Sequence, residues 1–250
     1  MSGHSKWSTI KHKKARTDEK KGKEYTKLAK EIIIAARSGG GDPESNSKLK
    51  LAIQNAKAIN MPNDNISRAI KKGTGDIESD IIEELTYEGY APGGVAIMLA
   101  IATDNRNRTA SDIRHLFAKN NGNLGETGCV GYLFERVGLL IVKQEDLKMD
   151  VEEFMLQAIE AGADDVREDE EEIELITTPD SFMAVKEALD KIVVLEEADI
   201  VMMPSNTVDI SDEAMAVKVL RLIDALEDHD DVQHVYANFS IAEEILEKIM

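Results

Sequence analysis

Basic residues crowd the first 23 positions of the chain, and their chemistry is that of phosphate binding. Lysine and arginine side chains bind phosphates by displacing condensed counterions, an effect that is sensitive to salt and independent of base sequence. Clustering of this kind in an otherwise acidic chain indicates a polyanion-binding arm. The candidate nucleic-acid-binding residues of this basic arm are Lys6, Trp7, Lys11, His12, Lys13, Lys14, Arg16, Lys20, Lys21 and Lys23.

Trp7 is the only tryptophan of the chain, and it lies inside the basic arm. An indole in that position can stack on an unpaired base, as aromatic side chains do on single-stranded nucleic acids. The alternative is a packing role, in which the indole docks the arm onto the helices that follow. The sequence leaves both roles open.

A second basic pair, Arg106 and Arg108, lies between a predicted strand and a predicted helix. This helix is predicted to begin at Thr109, because the spacing of Thr109 and Asp112 resembles a capping box. The free N–H groups of a helix N-terminus, with two arginines beside them, can hold a phosphate oxygen. Pairing of the arginines with Asp104 and Asp112 is an equally supported alternative.

Enzymatic motifs lack the context that their chemistry needs. The glycines at 39–41 are not followed by the Lys-Ser/Thr of a phosphate loop, and those at 122, 125 and 128 follow a helix instead of a strand. His229 and His234 lie near aspartates, but no cysteine or close histidine pair completes a metal site. Cys129 is interpreted as a small buried residue. We therefore expect a non-enzymatic protein with no catalytic residues, no metal and no cofactor.

Charge is distributed unevenly along the 250 residues, whose formal net charge is -18. Residues 1–75 contain 17 basic and 7 acidic residues, whereas residues 76–250 contain 13 basic and 41 acidic residues. Because an acidic body repels polyanions, this asymmetry is expected to restrict nucleic-acid contact to one face of the molecule. No apolar run approaches the roughly 18 residues of a membrane span. With a single cysteine, these features predict a cytoplasmic protein with no membrane contact.

The period of the apolar residues changes along the chain and predicts three domains. Helical spacing up to Gly73 predicts a basic three-helix domain over residues 1–77. A complete βαββαβ order between residues 139 and 203 is typical of a ferredoxin-like domain. The strands and helix before this unit lack a further helix and strand, which appear only after it. Residues 138–205 are therefore predicted to be inserted into a middle domain formed by 78–137 and 206–250. The first boundary separates predicted strands at 130–136 and 139–142.

The predicted fold class is therefore α+β. We expect an N-terminal three-helix domain followed by two α+β domains of ferredoxin-like type, with the second domain inserted into the first.

Several ordered motifs resemble those of the YebC/PmpR family. They include Gly3-His-Ser-Lys-Trp7, Asn60-Met-Pro62, Arg68-Ala-Ile-Lys-Lys-Gly73, Tyr87-Glu-Gly-Tyr90 and Thr103-Asp-Asn-Arg-Asn-Arg-Thr109. The resemblance runs through nearly the whole chain. It implies three domains and DNA-binding transcriptional regulation. It also implies a translational alternative, because some relatives resemble ribosome-acting factors or a mitochondrial translational activator.

The leading hypothesis is a DNA-binding transcriptional regulator. The alternative is a ribosome-associated translation factor that uses the same basic surface on ribosomal RNA, and a third is an acidic protein-interaction module. No helix is identified from the sequence as base-reading, which favours recognition of nucleic-acid shape or backbone. The expected partner is nucleic acid, and the sequence assigns no oligomeric state.

Overall fold

The structure, a computed structural model, describes residues 18–169 and 171–249. Its helices are α1 (Asp18–Gly39), α2 (Ser47–Ala58), α3 (Asn63–Thr74), α4 (Arg106–Lys119), α5 (Val151–Glu160), α6 (Phe182–Leu189), α7 (Glu213–Glu227) and α8 (Glu243–Ile249). Its strands are β1 (Glu83–Tyr90), β2 (Ala96–Thr103), β3 (Asn123–Leu124), β4 (Phe134–Lys143), β5 (Asp165–Glu168), β6 (Glu172–Thr177), β7 (Glu197–Pro204), β8 (Val208–Ile210), β9 (Val232–Ala237) and β10 (Phe239–Ile241). The class is α+β, as predicted.

Helices α1, α2 and α3 form an N-terminal bundle around a small apolar core. Asn46 positions α2, because its side chain accepts a hydrogen bond from the Leu49 N–H at 3.1 Å and donates to the Ala35 carbonyl at 2.8 Å. Gly73 allows α3 to approach α1 closely, since a side chain there would collide with the Ile33 carbonyl. The core contains Ile32, Ile33, Leu49, Ala52, Ala56, Ile66 and Ala69.

The first four-stranded sheet is antiparallel and has the order β3-β1-β2-β9. Helices α4 and α7 cover one face, where Ile113 and Phe117 pack with residues of β2 and β9. The β1–β2 hairpin turns at Pro92-Gly93-Gly94, and both glycines have positive φ angles of 79° and 77°. Glycine suits this turn because it adopts such angles without a steric penalty.

The second four-stranded sheet has the antiparallel order β5-β6-β4-β7, which is the spatial order of a ferredoxin-like βαββαβ unit. Helices α5 and α6 cover one face, where Phe154 and Phe182 pack on Leu140 and Leu175. All four strands of this sheet lie between β3 and β8 in the chain, so the second α+β domain is inserted into the first.

Strand β4 differs from the sequence prediction, because one strand replaces the two expected at 130–136 and 139–142. Gly138 lies in its middle and pairs on both sides, with Thr177 in β6 and Ile200 in β7. A side chain at Gly138 would collide with Thr177 and Phe182. The glycine therefore allows close packing and does not end a strand. The exact ranges 1–77, 78–137, 138–205 and 206–250 stay predictions.

Short elements complete the first α+β domain beyond the sequence prediction. Strands β8 and β10 pair in parallel, and α8 follows them. Phe239 and Ile241 of β10 join the core under α7. Among the helices that the structure describes, none has the length and apolar composition needed to cross a membrane.

Candidate nucleic-acid interface

The predicted arm residues fall into three groups. Lys6, Trp7, Lys11, His12, Lys13, Lys14 and Arg16 lie outside the described residues. Lys20 and Lys21 lie in the first turn of α1. Lys23 follows them, and its Nζ lies 2.7 Å from Oδ1 of Asp228, in the loop before β9. Lys23 thus joins the helical bundle to the middle domain and is already paired.

Helix α1 continues this contact with the middle domain through Lys27 and Lys30. Lys27 Nζ donates to the Glu227 carbonyl at 2.6 Å. Lys30 Nζ donates to the carbonyls of Ala102 and Asp230 and lies 2.7 Å from Asp231 Oδ1. One face of α1 therefore fixes the bundle against the end of β2 and the loop before β9.

Asp231 is the buried carboxylate at the centre of this contact. Its Oδ2 accepts hydrogen bonds from Thr109 Oγ1 at 2.7 Å and from Arg108 Nη2 at 3.1 Å, while Oδ1 accepts from Lys30. Burial raises the pKa of Asp231, but these three hydrogen bonds outweigh it and hold the pKa well below its usual range. Asp231 therefore stays ionised and ties α1 and α4 to the loop before β9.

Helix α4 begins three residues before its predicted start, so the prediction of a capping box from Thr109 to Asp112 is wrong. Asn105 is the actual N-cap, and its side chain accepts from the Arg108 N–H at 3.1 Å. Thr109 is buried one turn into the helix, where its hydroxyl binds Asp231. The earlier start places both arginines in the first turn of α4.

Arg106 and Arg108 lie close in sequence but in different environments. Arg108 Nη2 lies 2.7 Å from Asp104 and 3.1 Å from Asp231, and these carboxylates raise its pKa. Arg106 is exposed, and its Nε is 3.6 Å from a Glu83 oxygen. Arg108 is therefore ion-paired, and its partner Asp104 is one of the two carboxylates named in the alternative to phosphate binding. Arg106 remains accessible to solvent.

A cleft of about 650 Å³ separates α1 and α3 from the start of α4. Lys23, Lys30 and Arg108 contribute to its wall, but all three are ion-paired. Carboxylates outnumber cations in the lining, so the cleft favours neither a phosphate nor a nucleic-acid backbone. The lining cations are Lys23, Lys30, Lys72 and Arg108, and the lining carboxylates are Asp80, Asp104, Asp112, Asp228, Asp230 and Asp231.

The exposed face of α3 has the opposite character, and sequence reasoning did not assign it a role. Asn65, Arg68 and Lys71 are exposed and Lys72 is half-buried, while Ile66 and its neighbours bury the opposite side. Positions three and four apart share a helix face, which brings Asn65, Arg68 and Lys72 together. Within the described part of the chain, Arg68, Lys71 and Lys72 make no ion pair.

A signal for the α3 face exists in the sequence. Polar Asn, Arg and Lys residues alternate at helical spacing with Ile66, Ala69 and Gly73, which are buried. The turn before α3 fixes its orientation, because Asn60 adopts a positive φ of 62° and Met61 is buried. These features place Arg68 and Lys71 on the outer surface of the bundle, whereas Lys72 lines the cleft described above.

A second ordered surface lies at the loop before β4. The buried Glu88 carboxylate accepts hydrogen bonds from the N–H groups of Gly128, Val130 and Gly131 at 2.7–2.8 Å. Burial raises the pKa of Glu88, but the three hydrogen bonds outweigh it and lower the pKa overall. Tyr132 at the end of this loop is 75% exposed. An ionised glutamate therefore holds a loop that presents an aromatic ring to solvent.

The cysteine and the two histidines considered in the sequence analysis lie beside protein groups that account for their surroundings. Cys129, interpreted from the sequence as a small buried residue, is half-buried in the structure, and burial raises the pKa of its thiol. His229 Nε2 is 3.6 Å from Asp112, and His234 Nε2 is 3.1 Å from Glu31. In residues 18–169 and 171–249, no group of three or more potential ligands is arranged to hold a metal ion.

Comparison with known proteins identifies the family of the chain. Residues 5–76 match the TACO1/YebC protein N-terminal domain, and residues 82–239 match the TACO1/YebC second and third domain. The chain belongs to the TACO1/YebC family. The resemblance to the YebC/PmpR family is thereby confirmed.

Two relatives and one solved structure are similar to this chain over nearly its whole length. A probable transcriptional regulatory protein from Syntrophomonas wolfei is 68% identical over 248 residues, covering 98% of this chain and 99% of the relative. A protein of the same description from Desulfitobacterium hafniense is 57% identical over 249 residues and covers 99% of each chain. The crystal structure of a conserved hypothetical protein from Aquifex aeolicus has a TM-score of 0.85 and 53% identity, covering 95% of this chain and 97% of that one.

Proposed function

We propose that this chain is a non-enzymatic nucleic-acid-binding regulator that acts on DNA in transcription. The observation that carries the proposal is the separation between paired and unpaired cations. Lys23, Lys30 and Arg108 hold the domains together, whereas Arg68 and Lys71 lie exposed on α3 without an ion pair in the described residues. The relatives named probable transcriptional regulatory proteins support the same role.

Unpaired cations are suited to phosphate binding because no protein carboxylate must first be displaced. Each phosphate that they neutralise releases condensed counterions, which is the main driving force of such binding. The basic arm supplies further cations that precede α1 in the sequence, including Lys11, Lys13 and Lys14. The acidic remainder of the chain repels the same phosphates, so nucleic acid is confined to the bundle side of the molecule.

The shape of the α3 face favours DNA over RNA as the target. An α-helix fits the major groove of B-form DNA, whereas the major groove of A-form RNA is too narrow for side chains to read. Asn65 and Arg68 on the exposed face also have the side chains that pair with adenine and guanine edges. Both points support α3 as the helix that enters the groove.

A translational role on ribosomal RNA is the second candidate, and Tyr132 is the observation that favours it. Its ring is 75% exposed on a loop held by Glu88, which suits stacking on an unpaired base. The basic arm would bind the RNA backbone by the same counterion release that it uses on DNA.

The direct test compares binding of the intact chain to a DNA duplex and to a structured RNA over a range of salt concentrations. Changing Arg68→Ala, Lys71→Ala and Lys72→Ala together is expected to weaken duplex affinity roughly 10- to 100-fold and to reduce the slope of log affinity against log salt by about 2 to 3. A matched control replaces Lys148, Lys218 and Arg221, which are exposed elsewhere in the chain, by alanine.

The control should bind the duplex like the unmodified chain. Equal losses in both triple variants would mean that only total charge matters, which would contradict a specific role for α3. A Tyr132→Ala variant that loses RNA binding and keeps duplex binding would favour the translational candidate.

A further inference from the structure

Helix α4 differs in charge from the acidic body that contains it. Residues 76–250 contain 13 basic and 41 acidic residues. Helix α4 contains four basic residues, Arg106, Arg108, Arg114 and Lys119, and one acidic residue, Asp112. Among the helices described in residues 76–169 and 171–249, α4 is the only one in which basic residues outnumber acidic ones. The repulsion of polyanions by the body is therefore weakest at this helix.

The exposed residues of α4 fall into two sets. Arg108 and Asp112 are four positions apart and line the cleft, where Arg108 is ion-paired. Ile113 and Phe117 are buried against the sheet, so the rest of the helix surface points to solvent. We call the exposed residues outside the cleft the outer surface of α4. This set includes no carboxylate and consists of Arg106, Asn107, Ser111, Arg114, His115, Ala118 and Lys119.

The cations of the outer surface are accessible to an anion. In the part of the chain that the structure describes, Arg114 and Lys119 make no ion pair. Arg106 Nε lies 3.6 Å from a Glu83 oxygen, but the two side chains are 64% and 50% exposed, so water screens this contact. Ser111 and Ala118, three and four positions from Arg114, are small and leave its guanidinium open to solvent.

Uncharged amides continue the outer surface beyond the end of α4. The chain has no aspartate or glutamate from residue 113 to residue 125, and this stretch includes Asn120, Asn121 and Asn123. Asn121 adopts a positive φ of 59° just after the helix, and both Asn121 and Asn123 are exposed. Arginine, lysine and asparagine side chains are among the usual contacts of DNA phosphates. The surface therefore has the composition of a backbone-binding site.

Helices α3 and α4 border the same cleft. Lys72 of α3 lines the cleft on the bundle side, and Arg108 and Asp112 line it at the start of α4. Asp231 binds both Lys30 of α1 and Arg108 of α4, so the fold fixes the position of α4 relative to the bundle. In DNA-binding proteins, a helix in the groove is oriented by phosphate contacts from neighbouring elements. The outer surface of α4 can supply such contacts for α3.

We propose that the outer surface of α4 binds the phosphate backbone of the same duplex whose groove receives α3. Arg106, Arg114 and Lys119 neutralise phosphates, while the amides of Asn107 and Asn121 hydrogen-bond to phosphate oxygens. This contact reads no base sequence and fixes the orientation of α3 on the duplex. The inference rests on the proposed DNA-binding function and adds to it a direct contact from the middle domain.

The test measures the duplex affinity of the intact chain over a range of salt concentrations. The α4 variant replaces three cations of the outer surface: Arg106→Ala, Arg114→Ala and Lys119→Ala. Its affinity should fall roughly 5- to 50-fold, and the slope of log affinity against log salt should decrease by about 2 to 3. A control variant removes the same charge from exposed positions elsewhere in the chain: Lys148→Ala, Lys191→Ala and Lys248→Ala. An unchanged slope in the α4 variant, or an equal loss in the control, would overturn the proposal.

Folding and the identity of the ligand are checked separately. If circular dichroism shows that the α4 variant is unfolded, Arg114→Gln and Lys119→Gln alone must each reduce the slope by about 1, and an unchanged slope in both would overturn the proposal. A duplex long enough to extend past both helices should bind one per chain, whereas two per chain would contradict a shared duplex. A loss confined to structured RNA would replace the duplex by an RNA partner and refute the proposal.

Failure of this inference is distinguishable from failure of the proposed function. If the α3 variant loses duplex affinity and the α4 variant does not, the proposed function stands and the contact through α4 is refuted. If the unmodified chain shows no salt-dependent duplex binding, the proposed function is refuted and the inference falls with it.

Discussion

Replacing Asp231 by asparagine removes the charge that ties α1 and α4 to the loop before β9. The carboxylate is buried and accepts hydrogen bonds from Lys30 and Thr109 at 2.7 Å and from Arg108 at 3.1 Å. A hydrogen bond to a charged group contributes about 1.5–3 kcal/mol. Lys30 keeps two carbonyl acceptors and Arg108 keeps Asp104, so the expected loss of unfolding free energy is about 2–4 kcal/mol, near the lower end of the range for breaking a buried pair.

The assay is denaturant unfolding at pH 7 and at pH 3, with Asp230→Asn as the matched control on the neighbouring exposed carboxylate. The folded-state pKa of Asp231 is depressed, so its contribution is present above the unfolded-state pKa of about 3.9 and is lost as pH falls towards the folded value. The difference between the Asp231→Asn variant and the unmodified chain should therefore shrink at pH 3. A loss below about 0.5 kcal/mol at pH 7, or a difference that does not change with pH, would refute this account of the contact.

Three further predictions concern a buried glutamate, two glycines and the lysines of the basic arm. Glu88→Gln should cost about 2–3 kcal/mol and speed amide exchange of the loop at Gly128, because a neutral acceptor replaces an ionised one; unchanged exchange would contradict this role. Gly138→Ala should lower the free energy of unfolding by about 1–3 kcal/mol, because the added methyl group would collide with Thr177 and Phe182. Gly22→Ala in α1 meets no neighbouring atom and should raise the free energy of unfolding by about 0.5–1 kcal/mol. Thermal melting of both variants measures the difference. Alanine at Lys6, Lys11, Lys13 and Lys14 should weaken binding to unrelated duplexes alike and flatten its salt dependence, and an unchanged slope would exclude the arm as a phosphate contact.

The local sequence predicted those helices and strands whose apolar residues recur at regular spacing or that are joined by a distinctive turn. The β1–β2 hairpin follows from two strand-like runs on either side of the turn Pro92-Gly93-Gly94, and the βαββαβ order follows from the order of the strand-like and helical runs. Strands β8 and β10 were missed because three residues are too few to establish alternation, and they are stabilised by pairing with each other. Their partner strands lie about 30 residues apart, beyond the reach of a local pattern.

The residues that position the candidate interface depend on contacts between distant parts of the chain. Asp231 lies in a run of aspartates that looks solvated, and its partner Lys30 is 201 residues away. Glu88 is one glutamate in an ordinary strand, and its loop lies 40 to 43 residues downstream. The start of α4 was misplaced because two nearby polar residues can each cap a helix, and burial of Thr109 against Asp231 decides between them.

The most direct test of the central claim is crosslinking of the intact protein to nucleic acid in cells, followed by sequencing of both DNA and RNA. The unmodified chain is compared with the Arg68→Ala, Lys71→Ala and Lys72→Ala variant. The proposed function predicts enrichment of defined duplex DNA segments, and loss of that enrichment in the variant. Recovery of ribosomal RNA alone, or of DNA segments that are identical in the variant, would contradict a DNA-binding regulator that acts through α3.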